Sequence, residues 1–159
     1  MIFTQIHPNI AIIKDSSIFK AKTEAIVNPV NTVGVCGMGL AKQFKEKYPD
    51  NYEAYRNACE TGLLKVGETF TYCLETKNHP SHIINFPTKN HWRYPSKIHY
   101  IEAGLKALVI DMKINKIKSV AIPKLGCGEK TGQLKWVDVK PLIISTFLKF
   151  KDLECVIYE

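Results

Sequence analysis

Apolar positions along this chain fall into two alternating rhythms. Short runs rich in β-branched and aromatic residues recur at Ile2–Ile6, Ile10–Ile13, Ala25–Pro29, Thr69–Leu74, His82–Phe86, Ser119–Ile122 and Glu154–Tyr158. Their near-continuous apolarity predicts strands, the central ones buried on both faces. Between them the spacing lengthens to a helical period. Leu40, Ala41, Phe44 and Tyr48 share one side of a helix over Gly39–Tyr48, with Lys42, Lys45 and Glu46 opposite and Pro49 as its stop. Asp50, followed three residues later by Glu53, predicts the N-cap of a second helix that carries Tyr52, Tyr55 and Cys59 and ends at Gly62. Ser96 is placed to cap a third, along which Ile98, Ile101, Leu105, Leu108 and Met112 form one stripe. Taking Asp138 as an N-cap puts Pro141 in the first turn of a fourth helix, from about Val139 to Phe150. Strands alternating with helices, with no internal repeat or low-complexity linker, predict an α/β sandwich.

Composition narrows the class. At 159 residues with 45% hydrophobic and 23% charged residues, the chain suits one globular domain with its own core. No apolar run approaches the roughly 20 residues of a membrane helix, and the N-terminus has no basic lead before an apolar stretch. The five cysteines, Cys36, Cys59, Cys73, Cys127 and Cys155, are odd in number and contain no C-x-x-C pair. That pattern predicts reduced thiols and a cytoplasmic protein without a membrane partner. Zinc is not expected: Cys73, His79 and His82 lack a spaced second ligand pair. The balance of 22 Lys+Arg against 15 Asp+Glu gives +7, a field that draws anions and suits nucleic acid, although lysines such as Lys42, Lys45, Lys113 and Lys149 also read as a solvated surface.

Chemistry concentrates in three loops after strands, where open α/β sheets place their ligands. The first, Asn28 to Gly39, leads into a helix, and Gly34, Gly37 and Gly39 would let backbone N–H groups close on a phosphate or simply make a turn. The second, Leu125 to Gly132, repeats the device with Lys130 at its rim. It is not a P-loop, because Glu129 stands where a glycine must precede Lys130-Thr131, and Lys124 where the first glycine belongs. The third, Asn85 to Tyr94, places Lys89, His91, Trp92, Arg93 and Tyr94 within six residues. A desolvated Lys89 could act as nucleophile or base while Trp92 stacks on a base; the same residues also suit a plain connector with Lys89 on the surface and Trp92 tucked into the core.

Taken together, Ala25-Ile-Val-Asn28-Pro-Val-Asn31-Thr-Val-Gly34-Val-Cys-Gly37-Met-Gly39-Leu-Ala41, Asn85-Phe-Pro-Thr-Lys89-Asn-His-Trp92-Arg93 and Pro123-Lys-Leu-Gly126-Cys-Gly128 with Leu134-Lys-Trp136 resemble the macrodomains, the ADP-ribose-binding family. They are similar to the branch holding the DarG antitoxins and the terminal ADP-ribose protein glycohydrolase. The resemblance spans essentially the whole chain. It implies a three-layer α/β/α sandwich with a mixed central sheet over residues 1–159, with one ADP-ribose cleft at its strand ends. The chain ends within a residue or two of its last predicted strand, which suits a domain cut from a longer antitoxin.

Carried over residue by residue, the resemblance gives Asn28 and Asn31 to the distal ribose and Gly37, Met38, Gly39 and Leu40 to the pyrophosphate and distal ribose. Gly126, Cys127, Gly128, Glu129, Lys130, Thr131 and Gly132 would close over the phosphates, with Thr88 beside them. Lys89 falls on the branch's catalytic lysine, and Trp92 and Arg93 would contact nucleic acid. Two departures stand out. Ser17 occupies the position of the family's adenine-binding aspartate, which leaves Asp15 through a shifted turn, or backbone near Ile18, to read adenine. The second loop has Glu129 and no aspartate, unlike the protein-directed enzyme.

The resemblance therefore implies an ADP-ribosyl glycohydrolase acting on ADP-ribosylated thymine in DNA, most naturally single-stranded, as the antitoxin to an ADP-ribosyltransferase toxin. It would be a monomer without metal or cofactor, with ADP-ribose as substrate moiety and product. The rival readings are a hydrolase of ADP-ribose esters on protein, a phosphatase of ADP-ribose-1″-phosphate, and a binding module without turnover. Lys89 separates an enzyme from a reader, since uniform binding yields no rate.

Overall fold

The computed structural model describes all 159 residues. Seven strands, β1 (Ile2–His7), β2 (Ile10–Lys14), β3 (Ala25–Asn31), β4 (Phe70–Cys73), β5 (His82–Lys89), β6 (Ser119–Ile122) and β7 (Glu154–Tyr158), join in one sheet ordered β1-β2-β7-β6-β3-β5-β4. The central five run parallel, while β1 and β4 close the edges antiparallel, so the sheet is mixed. Four helices cover it: α1 (Gly39–Lys47), α2 (Pro49–Glu60), α3 (Ile98–Ile114) and α4 (Trp136–Leu148). No helix is long and apolar enough to cross a membrane.

Alternation along the buried strands builds two cores. On β3, Ala25 and Val27 join the α3/α4 side with Ile84 and Phe86 of β5, whereas Ile26 and Ile83 face Phe44 of α1, and Val30 meets Tyr55 and Ala58 of α2. Because both faces are apolar, hydrophobic burial fixes helices on both sides. Gly104 brings α3 close: a Cβ there would lie 2.3 Å from the Phe86 ring. β1 departs from the expectation of double burial, with Ile2 and Phe3 exposed on the edge.

Element ends differ from the sequence reading in instructive ways. β3 continues past Pro29 to Asn31 and β5 past Phe86 to Lys89, so residues expected in loops are held by the sheet. Asp50 does not cap α2; Pro49 occupies its first turn, where a missing N–H costs nothing, and Tyr48 precedes it. Ser96 does not cap α3, which starts after Lys97, and its hydroxyl is buried without a partner. α4 begins at Trp136, so Asp138 lies inside its first turn and Pro141 inside the helix. The N–H that Pro141 lacks would have served the carbonyl of Val137, a residue 75% exposed. A single 3-10 turn, Ile18–Lys20, capped by the Ser17 hydroxyl, was not expected.

Candidate active site

After β3 the chain crosses to α1 on one face, and after the neighbouring β6 it crosses to α4 on the other. This opens a crevice at the carboxyl ends of the strands, the place where such sheets bind ligands. A cleft of about 1110 Å³ occupies it. Four cationic side chains, Lys89, Arg93, Lys124 and Lys130, line it against one carboxylate, Glu159. That carboxylate is already engaged, accepting from Trp136 Nε1 at 2.7 Å and Lys140 Nζ at 2.9 Å. Burial works to raise its pKa, but these hydrogen bonds and the charges of Lys140 and Lys14 outweigh it and hold Glu159 below the usual carboxylate range. The excess of positive charge on its wall suits an anion.

The first loop is organised by Asn31. Its Oδ1 accepts from the backbone of Val33 and Gly34 at 3.0 and 3.1 Å, its Nδ2 donates to the Val35 carbonyl at 2.8 Å, and Tyr55 Oη donates to both its oxygens. The side chain thereby shapes the loop rather than standing free, although Asn31 reaches the cleft wall. Beyond it, Gly37, Met38, Gly39 and Leu40 line the cleft where α1 starts. No side chain caps that helix, so the N–H groups of its first turn are left for a ligand. Cys36 also lines the wall; burial, only partly offset by the Tyr55 hydroxyl and Lys45, pushes its thiol up to about 11 and keeps it inert.

The second loop is closed on itself. Gly128 O accepts from Gly132 N at 3.0 Å and Gln133 N at 2.9 Å, and Gly126 O from Leu134 N at 2.9 Å. A Cβ on Gly132 would lie 2.0 Å from the Gly126 carbonyl oxygen, so this tightness requires glycine. Gly126, Cys127, Gly128, Lys130, Thr131 and Gly132 line the cleft, whereas Glu129 is exposed and does not line it.

Lys89 is the unusual feature. It is 7% exposed, and Nζ donates to the carbonyls of Trp92 at 2.9 Å and Thr131 at 2.5 Å, with no carboxylate paired to it. Burial alone lowers its pKa. The plain-connector reading is thus inverted: Lys89 is buried at the end of a strand, and Trp92 is 48% exposed. Thr88 and Trp92-Arg93 join it on the wall, and Thr32 Oγ1 ties the first loop to the third through the Asn90 carbonyl at 2.7 Å.

Asn28 does not reach the cleft wall. It is buried and donates to Asn85 Oδ1 at 3.1 Å, within a cluster that includes Asn51. Asp15 is likewise off the wall, while Ser17 and Ile18 are on it. Ser16, Gln43, Lys124, Tyr158 and Glu159 also line the cleft and escaped the sequence reading. The signal for Tyr158 and Glu159 is that they are the last residue of, and the residue after, an apolar strand parallel to β3 and β6, whose end opens on the same crevice.

Comparison with known proteins agrees with this geometry. The Macro domain family matches residues 27–143. A Mycobacterium tuberculosis protein named DNA ADP-ribosyl glycohydrolase is 47% identical over 141 residues, 89% of this chain and 40% of that protein. A Thermosipho africanus DNA ADP-ribosyl transferase-DNA ADP-ribosyl glycohydrolase fusion protein is 35% identical over 152 residues, 86% of this chain and 39% of its own. Among solved structures, the macrodomain of Mycobacterium tuberculosis DarG matches with a TM-score of 0.87 at 46% identity, over 92% of this chain and 96% of that one. Thermosipho africanus DarTG in complex with ADP-ribose matches with a TM-score of 0.90 at 34% identity, over 98% of this chain and 43% of that one. The chain spans about 40% of the length of these curated relatives. With the family matched across its centre and a DarG macrodomain matched from end to end, the chain belongs to the macrodomain family, in the group of the DarG macrodomains.

Proposed function

We propose that this protein releases ADP-ribose from ADP-ribosylated DNA, with Lys89 as the catalytic group. The observation that carries the reading is a buried lysine without a counter-ion, set in the wall of a cleft rich in cationic side chains. The names of its relatives agree: proteins of this group are named DNA ADP-ribosyl glycohydrolase, and one is bound to ADP-ribose. The pyrophosphate would lie between Gly37–Leu40 and Gly126–Gly132, with Lys130 and Lys124 adding charge. Adenine would reach the Ser17–Ile18 end, and Asn31 would position the distal ribose through the loop it shapes. Asn28, one layer behind, acts by supporting that strand.

In the reaction, neutral Nζ attacks the anomeric carbon of the distal ribose. A bond forms from nitrogen to that carbon as its bond to the thymine nitrogen breaks, the electron pair leaving with the base. The thymine nitrogen takes up a proton and the attacking amine gives one up. Water then cleaves the adduct, releasing ADP-ribose and restoring the lysine. This chemistry uses the chain's own amine and calls for no cofactor. Trp92 and Arg93 would hold the DNA, in single-stranded form, at the rim. The fusion of a DNA ADP-ribosyl transferase to a relative supports the reading of an antitoxin paired with an ADP-ribosyltransferase toxin. On this reading the protein works in the cytoplasm as a monomer.

The test is ADP-ribose release from a thymine-modified oligonucleotide, set beside release from protein carrying ADP-ribose on carboxylates. Turnover on DNA with little on protein is expected. The opposite preference would transfer the reading to ester hydrolysis, and tight binding without turnover on either would make the chain a reader.

A further inference from the structure

Resting on the DNA reading above, we infer that the run from His91 to Tyr100, exposed at Trp92–Pro95, Lys97 and His99, is a track for the nucleotides flanking the modified base. Between Asn90 and Ile101 the chain has no acidic residue, yet it carries Arg93, Lys97 and five aromatic-ring side chains, those of His91, Trp92, Tyr94, His99 and Tyr100. These are arranged as a surface. The His91 ring lies 5.2 Å from Trp92 and 5.3 Å from Tyr94, and the Arg93 guanidinium sits 4.9 Å over the Trp92 ring. Farther on, Lys97 Nζ is 5.9 Å from the Tyr100 ring, against which His99 packs edge-on at 4.6 Å. Trp92 and Tyr94 leave 48% and 63% of their surface to solvent, although large rings are ordinarily buried.

Two hydrogen bonds fix where this surface lies. Lys89 Nζ holds the Trp92 carbonyl at 2.9 Å, and Ser96 N donates to the Gly132 carbonyl at 2.9 Å. The track therefore begins at Lys89 and runs beside the second glycine loop, along the rim of the cleft. Exposed rings alternating with cations, free of carboxylates, match what a single strand presents: base faces to stack and phosphates to neutralise. A duplex would keep its bases stacked on each other and leave these rings unused. Arg93 and Lys97 are the phosphate partners, and Trp92 and Tyr94 are the stacking partners.

The experiment measures ADP-ribose release from thymine-modified oligonucleotides of increasing length, together with binding of an unmodified oligo-dT by fluorescence anisotropy at two salt concentrations. For the wild type, kcat/KM should rise about tenfold or more from modified thymidine to a modified oligonucleotide, and oligo-dT binding should weaken with salt by a slope set by about two phosphates. Tyr94→Ala and Lys97→Glu should each lose most of that length gain and weaken oligo-dT binding. Both should keep wild-type melting curves, ADP-ribose affinity and turnover on modified thymidine. Variants with the wild-type length gain would overturn the track while leaving the DNA reading in place, as would a wild type that gains nothing from flanking nucleotides. A wild type that releases nothing from any modified DNA would overturn both.

Discussion

The ammonium of Lys89 donates to the main-chain carbonyl of Thr131, joining the end of β5 to the second glycine loop across the cleft. In the proposed mechanism one side chain thus has two duties, latching the loop and supplying the reactive amine. Either protonation state has the N–H groups to serve both carbonyls, whereas attack requires a neutral Nζ whose lone pair turns toward the sugar.

Separating the two duties gives the first prediction. Lys89→Arg keeps a permanently charged donor that can still serve the carbonyls, but offers no neutral amine. It should bind ADP-ribose within a few-fold of wild type by calorimetry while turnover on modified DNA falls at least about a hundredfold. Lys89→Ala should lose turnover to the same extent and, in addition, speed amide exchange across Gly126–Gly132. Either variant turning over at the wild-type rate would remove Lys89 from the mechanism.

The direction of the Lys89 pKa gives the second. Burial holds it below the usual lysine value of about 10.4, so the neutral fraction at any pH beneath that value exceeds that of a free lysine. In the proposed mechanism only the neutral form attacks, and kcat/KM should therefore climb with pH and level off above the folded pKa. The midpoint should fall below about 10.4. A profile flat between about pH 6 and 9 would speak for an acid-independent route by a positioned water.

Two glycines give the third, because they differ in what surrounds them. A Cβ at Gly37 meets nothing within 4 Å, so Gly37→Val should fold with stability within about 0.5 kcal/mol of wild type yet lose ADP-ribose affinity by tenfold or more as its methyls fill the approach to α1. At Gly132 the added carbon collides with the Gly126 backbone. Gly132→Ala should cost about 1–3 kcal/mol in denaturant unfolding as well as affinity. Equal stability in the two variants would contradict the geometry of the second loop.

Strand and helix order was legible because burial on both faces writes long apolar runs into β3, β5, β6 and β7, and the two glycine-rich loops stand out in the sequence as the segments that line one cleft. The ends of β3 and β5 were not. Asn31 and Lys89 are polar residues held by the sheet at buried strand ends, and polarity reads as loop when only one residue is seen at a time. Helix starts misled for a related reason: Asp50, Ser96 and Asp138 all have cap chemistry, but Pro49 preset the first turn of α2, and Ser96 is drawn against the second glycine loop by its bond to Gly132. Lys89 and Trp92 traded the places that their hydropathy suggests, which is the pattern expected where local preference yields to a site.

Asn85 carries the last prediction. Fully buried on β5, four residues before Lys89, it accepts from Asn28 Nδ2 at 3.1 Å and Asn51 Nδ2 at 3.2 Å, and donates to Asn51 Oδ1 at 2.8 Å and the Phe70 carbonyl at 3.1 Å. Its amide is satisfied at every position, and it locks β3, β4 and α2 to the strand that bears the lysine. Asn85→Leu keeps much of the volume but strands both partner amides and a carbonyl in an apolar interior, each at a cost of about 1–3 kcal/mol. The variant should lose at least about 3 kcal/mol of unfolding free energy. Adding Asn51→Leu should return part of that loss, because a deserted polar group costs more than an absent pair. A double variant that is less stable by the sum of the two single losses would show the amides to be independent, and the cluster would then have no part in holding Lys89 in register.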